Sequence, residues 1–446
     1  MTRTIFALAT APGRGAVAVI RLSGPATVET LAALAGGVPA PRRASLRTLR
    51  DAAGETLDRA LVLMFPAPKS YTGEDCAELH LHGGPAVIDA VTAALAAAGL
   101  RPAEAGEFTR RAFENGKLDL GQAEAIADLI DAQSVAQARQ AIGQLEGALG
   151  RRYEGWRAAL IEAMAHLEAA VDFPVEQLPV DVAARARPGL EAVARDLAAA
   201  LADEARGRRV REGYRVALIG ATNAGKSSLL NALAGRDAAI VNDIAGATRD
   251  IIEVPLTLAG YRVLLADTAG MRQTGDPTEA EGVRRARAWA ADADLRLWVI
   301  DGSAGEGAWR EAADLTRAGD LALLHKADLA QGDDAVPARS RAAARGLEVV
   351  ATSTGDADRD RLLAALTARM LRDVAGNEFP AATRLRHEGH LEAAAAAVGR
   401  ALGALAAPEL AAEDVRLAAR ALAAVTGRFG AEEVLGQVFA TFCIGK

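Results

Sequence analysis

The chain has 446 residues, with 51 lysines and arginines against 58 aspartates and glutamates, so its formal charge is −7. Hydrophobic residues make up 51% and charged residues 24%. This ordinary globular usage excludes a wholly disordered chain, a collagen and a disulfide scaffold. The mild acidity argues against a protein that coats DNA without regard to sequence, because such binding comes mainly from basic charge. The length predicts about two to four domains of roughly 100–200 residues each.

The two cysteines, Cys76 and Cys443, lie far apart in the sequence. This excludes a zinc site made of cysteines and favours a reducing, cytoplasmic location. The N-terminal residues lack the basic start and unbroken apolar run of a signal peptide. No uncharged apolar stretch reaches the ~20 residues of a membrane span. We therefore expect a cytoplasmic protein that does not enter a membrane.

The first region, residues 1–116, has the pattern of a mixed α+β domain. Apolar runs of strand length occur at 4–10 and 16–22, on either side of a Pro-Gly turn. Residues 76–82 alternate apolar and polar side chains, which predicts a half-buried strand. The run 86–98 predicts a helix that ends before a glycine.

Residues 117–212 and 374–446 have helical periodicity and predict two parts of one helical domain. The first part contains a long helical pattern and then a helix at about 188–205, with its proline in the first turn. The basic run 206–211 predicts a solvated linker, with an RNA contact as the alternative.

Residues 213–373, between these two parts, alternate short apolar runs with helical patterns. This alternation is typical of an α/β domain with a mostly parallel sheet. The predicted strands lie at 215–220, 251–258, 261–266, 295–301, 320–325 and 347–351. The fold class predicted is a multidomain α+β and α/β protein, with the α/β domain inserted into the helical one.

A phosphate-binding loop is predicted at residues 220–227, where GATNAGKS fits the pattern GxxxxGK[ST]. It follows a predicted strand and precedes a predicted helix, which is the context that this motif needs. Its glycines let backbone N–H groups face phosphates, and the helix N-terminus adds partial positive charge. We expect Lys226 to neutralise β- and γ-phosphate charge and Ser227 to bind Mg²⁺.

Three further segments follow in the order that a GTPase requires. DIAGATRD supplies Thr248 as a second Mg²⁺ ligand. DTAG begins at Asp267, which can hold Mg²⁺ through water, and its glycine can sense the γ-phosphate. HKAD ends at Asp328, whose two oxygens can accept hydrogen bonds from the N1–H and amino group of guanine. Adenine lacks these paired donors, so the sequence predicts GTP as the nucleotide.

The base-reading segment departs from the usual Asn-Lys-x-Asp, because His325 stands in place of asparagine. A neutral imidazole has one donor, which could still reach a guanine acceptor. We expect guanine selection to survive through Asp328. The last loop on the base side is expected at Ala351, Thr352 and Ser353, although it lacks the common Ser-Ala-Lys.

The chain resembles the MnmE (TrmE) family of GTPases, which modify the wobble uridine of tRNA. The resemblance rests on TAPGRGAVAVIRLSG, YTGEDCAELHLHGGP and GEFTRRAFENGKLDLGQAEAIADLID in the N-terminal part. NAGKSSLLN and DIAGATRD in the centre and the terminal FCIGK complete it. It covers nearly the whole chain. It implies an N-terminal folate-binding and dimerisation domain, a split helical domain and an inserted Ras-like P-loop GTPase domain.

The resemblance implies that the N-terminal domain binds 5-formyl- or 5,10-methylene-tetrahydrofolate. Carried over by motif position, the folate-binding residues are Arg21, Glu78, Lys117 and the terminal Lys446. A carboxylate can pair with the aminopyrimidine edge of a pterin, and basic groups can hold the anionic glutamate tail. Cys443 could be a nucleophile beside this site or a packed thiol.

The resemblance also implies a GTPase activated by potassium, with K⁺ beside the charge that develops between the β- and γ-phosphates. Asn223 would give a side-chain oxygen to K⁺, and Asn242, Ile244 and Ala247 would give backbone carbonyls. Ala247 stands where the family usually has threonine, but a backbone ligand survives that change. The whole set of implied nucleotide-binding residues is Asn223, Ala224, Gly225, Lys226, Ser227, Ser228, Asn242, Asp243, Ile244, Ala245, Gly246, Ala247, Thr248, Asp267, Thr268, Ala269, Gly270, His325, Lys326, Asp328, Ala351, Thr352 and Ser353.

A group that orients the hydrolytic water is needed, and Met271 occupies the position directly after DTAG. An apolar side chain cannot orient water. The resemblance implies a catalytic glutamate further along the chain, at Glu279. Glu281 is a nearby alternative, and both could instead be solvated charges at a helix start.

The resemblance implies that GTP hydrolysis moves the GTPase domains of a homodimer together and apart. This motion would regulate carboxymethylaminomethyl addition at C5 of the wobble uridine. The family works with MnmG (GidA), which carries FAD and NADH chemistry, in a heterotetramer. Folate would supply the one-carbon unit, and glycine or ammonium the nitrogen. Two alternatives remain: a GTPase switch without a modification role, such as a ribosome-assembly factor, and a folate-dependent transfer enzyme with a vestigial GTPase domain.

Overall fold

The computed structural model describes most of the chain, in two compact units. The described residues are 3–172, 182–237, 253–267, 277–303, 309–310, 312–326, 340–353, 356–376, 379–429, 432–440, 442 and 445, without the side chains of 234–237, 277–282, 356, 432–434 and 437. The first unit comprises Met1–Ile130, Gly143–Leu197 and Gly389–Lys446, and the second Asp131–Ile142 and Ala198–Glu388. The domain boundaries predicted at residues 116, 212 and 373 stay a prediction.

Within its described residues, the first unit contains a six-stranded sheet. Its strands are β1 (Ile5–Leu8), β2 (Val17–Ser23), β3 (Ser45–Arg50), β4 (Thr56–Phe65), β5 (Cys76–His82) and β6 (Arg101–Pro102). The spatial order is β3-β4-β5-β2-β1-β6, and neighbours are antiparallel except for β1 and β6. The predicted strands at 4–10, 16–22 and 76–82 are confirmed as β1, β2 and β5. The sequence pattern did not predict β3 and β4.

One face of this sheet is buried because successive side chains of a strand point to opposite faces. In β5, Leu79 and Leu81 are buried, and they pack with residues of two helices, α1 (Thr27–Leu34) and α2 (Pro85–Ala97). The helix α2 confirms the prediction at 86–98.

The other face of the sheet carries exposed apolar side chains. Val17, Leu46 and Leu61 are 55%, 60% and 44% exposed. The strand pairing places Leu46 opposite Leu61, and Leu61 opposite His80 of β5. This face therefore combines an apolar strip with the polar side chains of β5.

A series of helices follows the N-terminal sheet. They are α3 (Glu107–Glu114), α4 (Leu120–Ile130), α5 (Val135–Leu145), α6 (Ala148–Asp172), α7 (Arg187–Ala202) and α8 (Glu204–Glu212). The long helical pattern predicted after residue 117 is confirmed as α4, α5 and α6, which are separated by short connections, and the helix predicted at about 188–205 is confirmed as α7.

The prediction of a linker at residues 206–211 is wrong, because these residues form most of α8. Each of its four arginines has a carboxylate partner. The pairs are Arg206–Asp203, Arg208–Glu204, Arg209–Asp294 and Arg211–Glu212. Two of the pairs, Arg206–Asp203 and Arg208–Glu204, have the i,i+3 and i,i+4 spacing that supports a helix. All four pairs neutralise basic charge, which weakens the alternative of an RNA contact.

The described part of the second unit contains a second six-stranded sheet. Its strands are β7 (Tyr214–Ile219), β8 (Glu253–Leu258), β9 (Tyr261–Asp267), β10 (Leu295–Asp301), β11 (Leu321–His325) and β12 (Glu348–Ala351). The order is β12-β11-β10-β7-β9-β8, and only β8 runs antiparallel to its neighbour. This confirms the predicted α/β domain with a mostly parallel sheet.

Helices of the second unit include α9 (Lys226–Asp237), α10 (Pro277–Asp292) and α11 (Asp356–Val374). Both faces of the sheet are buried, so the strands are almost continuously apolar. The carboxyl ends of the parallel strands β7, β9, β10, β11 and β12 meet at one edge. Open α/β sheets bind ligands at this edge.

The last helices are α12 (Leu385–Gly403), α13 (Pro408–Val425) and α14 (Glu432–Ala440). Within the first unit, α13 packs along α6. Beyond α14, Phe442 packs with Phe439 and with Ala123 of α4. Among the described helices, we find none with the length and hydropathy needed to cross a membrane.

Candidate active site

The phosphate-binding loop connects β7 to α9 at the carboxyl edge of the second sheet. Gly220 has φ of +133°, and a Cβ there would lie 2.2 Å from the carbonyl oxygen of Val299 in β10. Gly225 has φ of +101°, and Asn223 has φ of +65°. Glycine is required at the first two positions because other residues rarely adopt such backbone angles.

Two side chains that the sequence assigned to phosphate and Mg²⁺ begin α9. Lys226 is 7% exposed, and its Nζ donates to the carbonyl oxygens of Gly220 at 2.8 Å and Ala221 at 2.7 Å. Ser227 Oγ donates to Asp267 Oδ2 at 2.6 Å. The structure thus brings together Ser227 and Asp267. Their hydroxyl and carboxylate oxygens are the ligand types that Mg²⁺ prefers, so the residues present fit a magnesium ion.

His325, which replaces the usual asparagine, ends β11 and is 2% exposed. Its Nδ1 lies 3.3 Å from Thr352 Oγ1, just after β12. A Cβ on Gly225 would lie 2.2 Å from His325 Cδ2, so the imidazole packs directly against the phosphate loop. The ring therefore connects the phosphate loop with the predicted base-side loop. The predicted hydrogen bond from the His325 imidazole to a guanine acceptor stays a prediction.

Lys326 also connects the base side to the phosphate loop. Its Nζ donates to Asp301 Oδ2 at 2.5 Å and to the carbonyl oxygen of Asn223 at 3.3 Å. Burial alone would raise the pKa of Asp301, but hydrogen bonds from Lys326 and Ser303 lower it below its ordinary value. The carboxylate therefore stays ionised and holds the lysine in place.

Asp301 was missed by the sequence reasoning. The available signal was its position as the last residue of β10, where the parallel register places it opposite His325. A carboxylate at the carboxyl end of a parallel strand lies at the ligand-binding edge of the sheet.

The other predicted residues of the nucleotide site divide into two groups. Ala224 is buried in the loop, Ser228 lies in α9, Ala351 ends β12, and the N–H of Ser353 donates to Asp358 Oδ2 at 3.0 Å. The residues outside the described part are Asn242, Asp243, Ile244, Ala245, Gly246, Ala247, Thr248, Thr268, Ala269, Gly270 and Asp328. Glu279 and Glu281 lie near the start of α10, but their side chains are not described.

The first unit contains a second group of predicted site residues, on the open face of its sheet. Arg21 of β2 and Glu78 of β5 are directly opposite in the antiparallel register. Glu78 Oε1 accepts hydrogen bonds from Arg21 Nη2 at 2.9 Å and Nε at 3.2 Å. The second oxygen, Oε2, lies 3.3 Å from His80 Nε2. The structure therefore brings Arg21 and Glu78 together.

Lys117 contacts the loop between β4 and β5. Its Nζ donates to the carbonyl oxygen of Pro68 at 3.0 Å. Its aliphatic chain lies within 3.4 Å of the position that a Cβ on Gly73 would take. The same loop carries Tyr71, whose ring centroid is 5.3 Å from Arg21 Cζ. Lys117 is thus one loop away from the Arg21–Glu78 pair.

The end of the chain approaches the N-terminal sheet at Gly445, where φ is +100°. A Cβ on Gly445 would lie 2.3 Å from the carbonyl oxygen of Leu8, the last residue of β1. Leu8 pairs with Ile20, the neighbour of Arg21 in β2. Cys443 and Lys446, on either side of Gly445, lie outside the described residues.

Comparison with known proteins identifies the family. The family model described as "GTP-binding protein TrmE N-terminus" matches residues 4–117, and "MnmE helical domain" matches residues 120–443. The chain is 59% identical, over 448 residues, to the tRNA modification GTPase MnmE of Caulobacter vibrioides and 58% identical, over 450 residues, to that of Phenylobacterium zucineum. Both alignments cover 100% of each chain. The chain belongs to the MnmE family of tRNA modification GTPases.

Family membership agrees with the geometry of the phosphate loop: this MnmE family member is a GTP-hydrolysing enzyme. Among solved structures, the G domain of the FeoB iron transporter of T. maritima is 24% identical in sequence. That alignment covers 36% of this chain and 99% of the FeoB chain, with a TM-score of 0.28.

Proposed function

We propose that the chain is a potassium-activated GTPase that acts with MnmG (GidA) in the cytoplasm. Together they add a carboxymethylaminomethyl group at C5 of the wobble uridine of certain tRNAs, using a one-carbon unit from tetrahydrofolate. The observation that carries the proposal is the presence, in one chain of this family, of an assembled phosphate loop and the Arg21–Glu78 pair. A simple GTPase switch has no need of the second group.

At the nucleotide site, Lys226 and the loop N–H groups bind the β- and γ-phosphates of GTP. Ser227 and Thr248 hold Mg²⁺, and Asp267 holds it through water. The ion, when bound, neutralises the charge that develops on the phosphates. The hydrogen bond between Ser227 and Asp267 supports this assignment, because it places two oxygen donors at one point.

Potassium binds beside the phosphates. Asn223 contributes its side-chain oxygen, and Asn242, Ile244 and Ala247 contribute backbone carbonyls. Asn223 is well placed for this role, because its own carbonyl is held by Lys326 on the rim of the loop. Glu279 orients the hydrolytic water, with Glu281 as the alternative. Glu279 lies in the first turn of α10, where partial positive charge favours an ionised glutamate.

The folate site lies in the first unit. Glu78 pairs with the aminopyrimidine edge of the pterin, and Arg21 keeps that carboxylate oriented. Lys117 and Lys446 hold the glutamate tail. The close packing of Gly445 on Leu8 supports a place for the last residue near β2.

A homodimer is supported by the open face of the N-terminal sheet. Val17, Leu46 and Leu61 are exposed there. Val17 lies in β2 with Arg21, Leu61 lies in β4 beside β5, and Leu46 lies in the edge strand β3. A second copy that covers this strip removes apolar surface from water. The dimer then binds MnmG in a heterotetramer, with MnmG supplying FAD and NADH chemistry and tRNA as the substrate. Glycine supplies the nitrogen together with the carboxymethyl group, whereas ammonium in its place would leave an aminomethyl group.

The proposal is tested by reconstitution with MnmG, FAD, NADH, unmodified tRNA, 5,10-methylene-tetrahydrofolate and glycine in a potassium buffer. Mass spectrometry of the tRNA nucleosides should show the modified uridine only when folate and GTP are both present. A GTPase switch without a modification role predicts GTP hydrolysis and no modified nucleoside. A transfer enzyme with a vestigial GTPase domain predicts the same modification with and without GTP. Either pattern would contradict the proposal.

A further inference from the structure

Two aromatic rings lie beneath the guanidinium group of Arg21. The centroid of the Tyr71 ring is 5.3 Å from Arg21 Cζ, and that of Phe108 is 5.9 Å away. Both distances are within the range of cation–π attraction. The rings come from YTGED and GEFTRR, two segments that carry the family resemblance, but no role is predicted from the sequence for Tyr71 and Phe108 themselves. Arg21 and Glu78 are 24% and 21% exposed at their side chains, so the contacts are partly shielded from water.

The Tyr71 ring is fixed in place. Its hydroxyl is 2.7 Å from Oγ1 of Thr109, which is completely buried. The ring packs against a small core formed by Ile5, Ala7, Ala103 and Phe108. Burial raises the pKa of the Tyr71 hydroxyl, so it stays protonated at neutral pH. The ring is therefore a neutral, immobile surface for the guanidinium.

The hydrogen bonds of Arg21 to Glu78 leave its orientation incompletely determined. Nε and Nη2 both donate to the single oxygen Oε1, so the two-pronged pairing of an arginine with both carboxylate oxygens is not formed. The guanidinium of Arg21 can therefore rotate about Glu78 Oε1 without losing both hydrogen bonds. The two rings below the guanidinium restrict that rotation.

We propose that Tyr71 and Phe108 are positioning residues of the folate site, which hold Arg21 so that it orients Glu78 toward a pterin. This inference rests on the proposed folate function. Tyr71 acts through Arg21, by its ring and not by its hydroxyl. The contribution of Tyr71 to folate affinity should then disappear when Arg21 is absent.

The test is a double-mutant cycle on the full chain, with 5-formyltetrahydrofolate as the probe and isothermal calorimetry as the measurement. Tyr71→Leu removes the ring, and we expect the Kd of this variant for 5-formyltetrahydrofolate to be about tenfold higher than that of the unaltered chain. A loss of this size is within the range of the energy of a partly desolvated cation–π contact. The matched controls keep the ring: Tyr71→Phe and Thr109→Val should each stay within about twofold of the unaltered chain. In an Arg21→Gln background, Tyr71→Leu should change Kd by less than about twofold.

Two results would overturn the inference. One is a Tyr71→Leu chain that binds the probe as tightly as the unaltered chain. The other is a loss of affinity that is the same in the Arg21→Gln background, because a merely structural role of Tyr71 would act with or without Arg21. Equal losses in Tyr71→Phe and Tyr71→Leu would assign the effect to the hydroxyl and overturn it as well.

Failure of the folate function itself gives a different result, since the unaltered chain would then not bind the probe. The contact is still measurable by NMR of the chain labelled with ¹⁵N-arginine. The Arg21 Nε–H signal, assigned by its absence in Arg21→Gln, should be displaced upfield by the rings and move downfield in Tyr71→Leu. A signal that does not move in a folded Tyr71→Leu chain overturns the inference. If Tyr71→Leu does not fold, the signal is compared between the unaltered chain and Tyr71→Phe. A Tyr71→Phe signal at the position of the unfolded chain then overturns the inference.

Discussion

Glu107 is a buried carboxylate in an ion pair. It is 2% exposed and accepts hydrogen bonds from Arg101 Nη1 at 2.8 Å, Arg111 Nη2 at 2.8 Å and the N–H of Glu104 at 2.9 Å. Burial alone would raise its pKa, but these bonds together lower the pKa to about 2. The ionised carboxylate therefore connects β6, where Arg101 lies, to α3.

The lowered pKa makes this contribution to stability dependent on pH. Because the folded pKa is below the unfolded one, the contribution is complete above about pH 5 and is lost as pH falls toward 2. We expect Glu107→Gln to lose roughly 3 kcal/mol of unfolding free energy near pH 7. Near pH 3, the difference in unfolding free energy between Glu107→Gln and the unaltered chain should be smaller by roughly 2 kcal/mol than it is near pH 7. Urea unfolding at the two pH values measures it.

The matched control for Glu107 is Glu104, whose side chain is 66% exposed and pairs with Arg110 at 3.4 Å. Glu104→Gln should change the unfolding free energy by less than about 1 kcal/mol at either pH, since solvent screens an exposed pair. A Glu107→Gln gap that is as large near pH 3 as near pH 7 would contradict the assignment of the pKa shift.

His325 is the residue at which this chain departs most clearly from the usual base-reading motif. Its ring packs on Gly225 and contacts Thr352, so it stabilises the loop that binds phosphate. We expect His325→Ala to weaken GTP and GDP binding about tenfold, because the loop loses a buried contact and becomes less ordered. The preference for GTP over ATP should stay, since Asp328 is the predicted reader of guanine.

Fluorescent GTP, GDP and ATP analogues measure both effects of His325→Ala. Thr352→Val is the matched control, because it removes the hydroxyl and keeps the ring in place. It should weaken binding by about threefold or less. If His325→Ala instead abolished the preference for guanine while phosphate binding persisted, the imidazole would be a base reader.

At the scale of elements, α8 shows how charge pairs connect a helix to its neighbours. Arg209 Nε donates to Asp294 Oδ1 at 2.7 Å, and Asp294 Oδ2 accepts the N–H of Arg215 in β7 at 2.9 Å. Burial alone would lower the pKa of Arg209, but the hydrogen bond from Arg209 to Asp294 raises it. Arg209→Met would leave Asp294 partly buried without its cation. We expect a loss of roughly 2–3 kcal/mol of unfolding free energy.

Arg208, the next residue of α8, provides a matched control. Its side chain is 39% exposed, and its partner Glu204 is in the same helix. Arg208→Met should cost less than about 1 kcal/mol. Thermal unfolding of the two variants, followed by circular dichroism, compares them directly. Equal, small losses of stability in Arg209→Met and Arg208→Met would contradict the prediction, because the pair of Arg209 with Asp294 would then contribute no more than an exposed pair.

Elements were predictable from the sequence where one signal dominated. β1, β2, β5 and the strands of the parallel sheet are apolar or strictly alternating and are bounded by turn residues. β3, with the sequence SLRTLR, is a half-exposed edge strand with two arginines, so its composition hid it. The helix α8 was not predictable because a run of arginines is also typical of a solvated segment, and a partner such as Asp294 is distant in the sequence.

The residues of the candidate sites were also predictable only where a continuous stretch of sequence specifies them. The phosphate loop is continuous in sequence, so its motif predicted Lys226, Ser227 and the two essential glycines. The contacts of Asp301 with Lys326 and of Tyr71 with Arg21 join residues from separate segments. No local pattern specifies such pairs, because they depend on strand order and register.

At the scale of the whole molecule, two proposed properties of the chain are linked: the activation of GTP hydrolysis by potassium and the association of two GTPase domains. A cation beside the phosphates lowers the barrier to hydrolysis by stabilising the charge of the transition state. We expect GTP hydrolysis by the full chain to be at least about tenfold faster in potassium than in sodium at matched ionic strength. Because the proposed N-terminal dimer keeps both GTPase domains in one particle, the rate per molecule in potassium should stay constant with protein concentration above the Kd of that dimer.

Asn223 decides whether this acceleration comes from the proposed ligand. Its φ of +65° is tolerated by glycine and aspartate, so these substitutions change the side chain without straining the loop. Asn223→Gly removes the oxygen and should abolish the difference between potassium and sodium, whereas Asn223→Asp keeps an oxygen and should retain part of it. Stimulation that persists in Asn223→Gly would place the potassium ligands elsewhere. Equal rates in both salts for the unaltered chain would mean that Ala247, in place of the usual threonine, is not compatible with potassium activation.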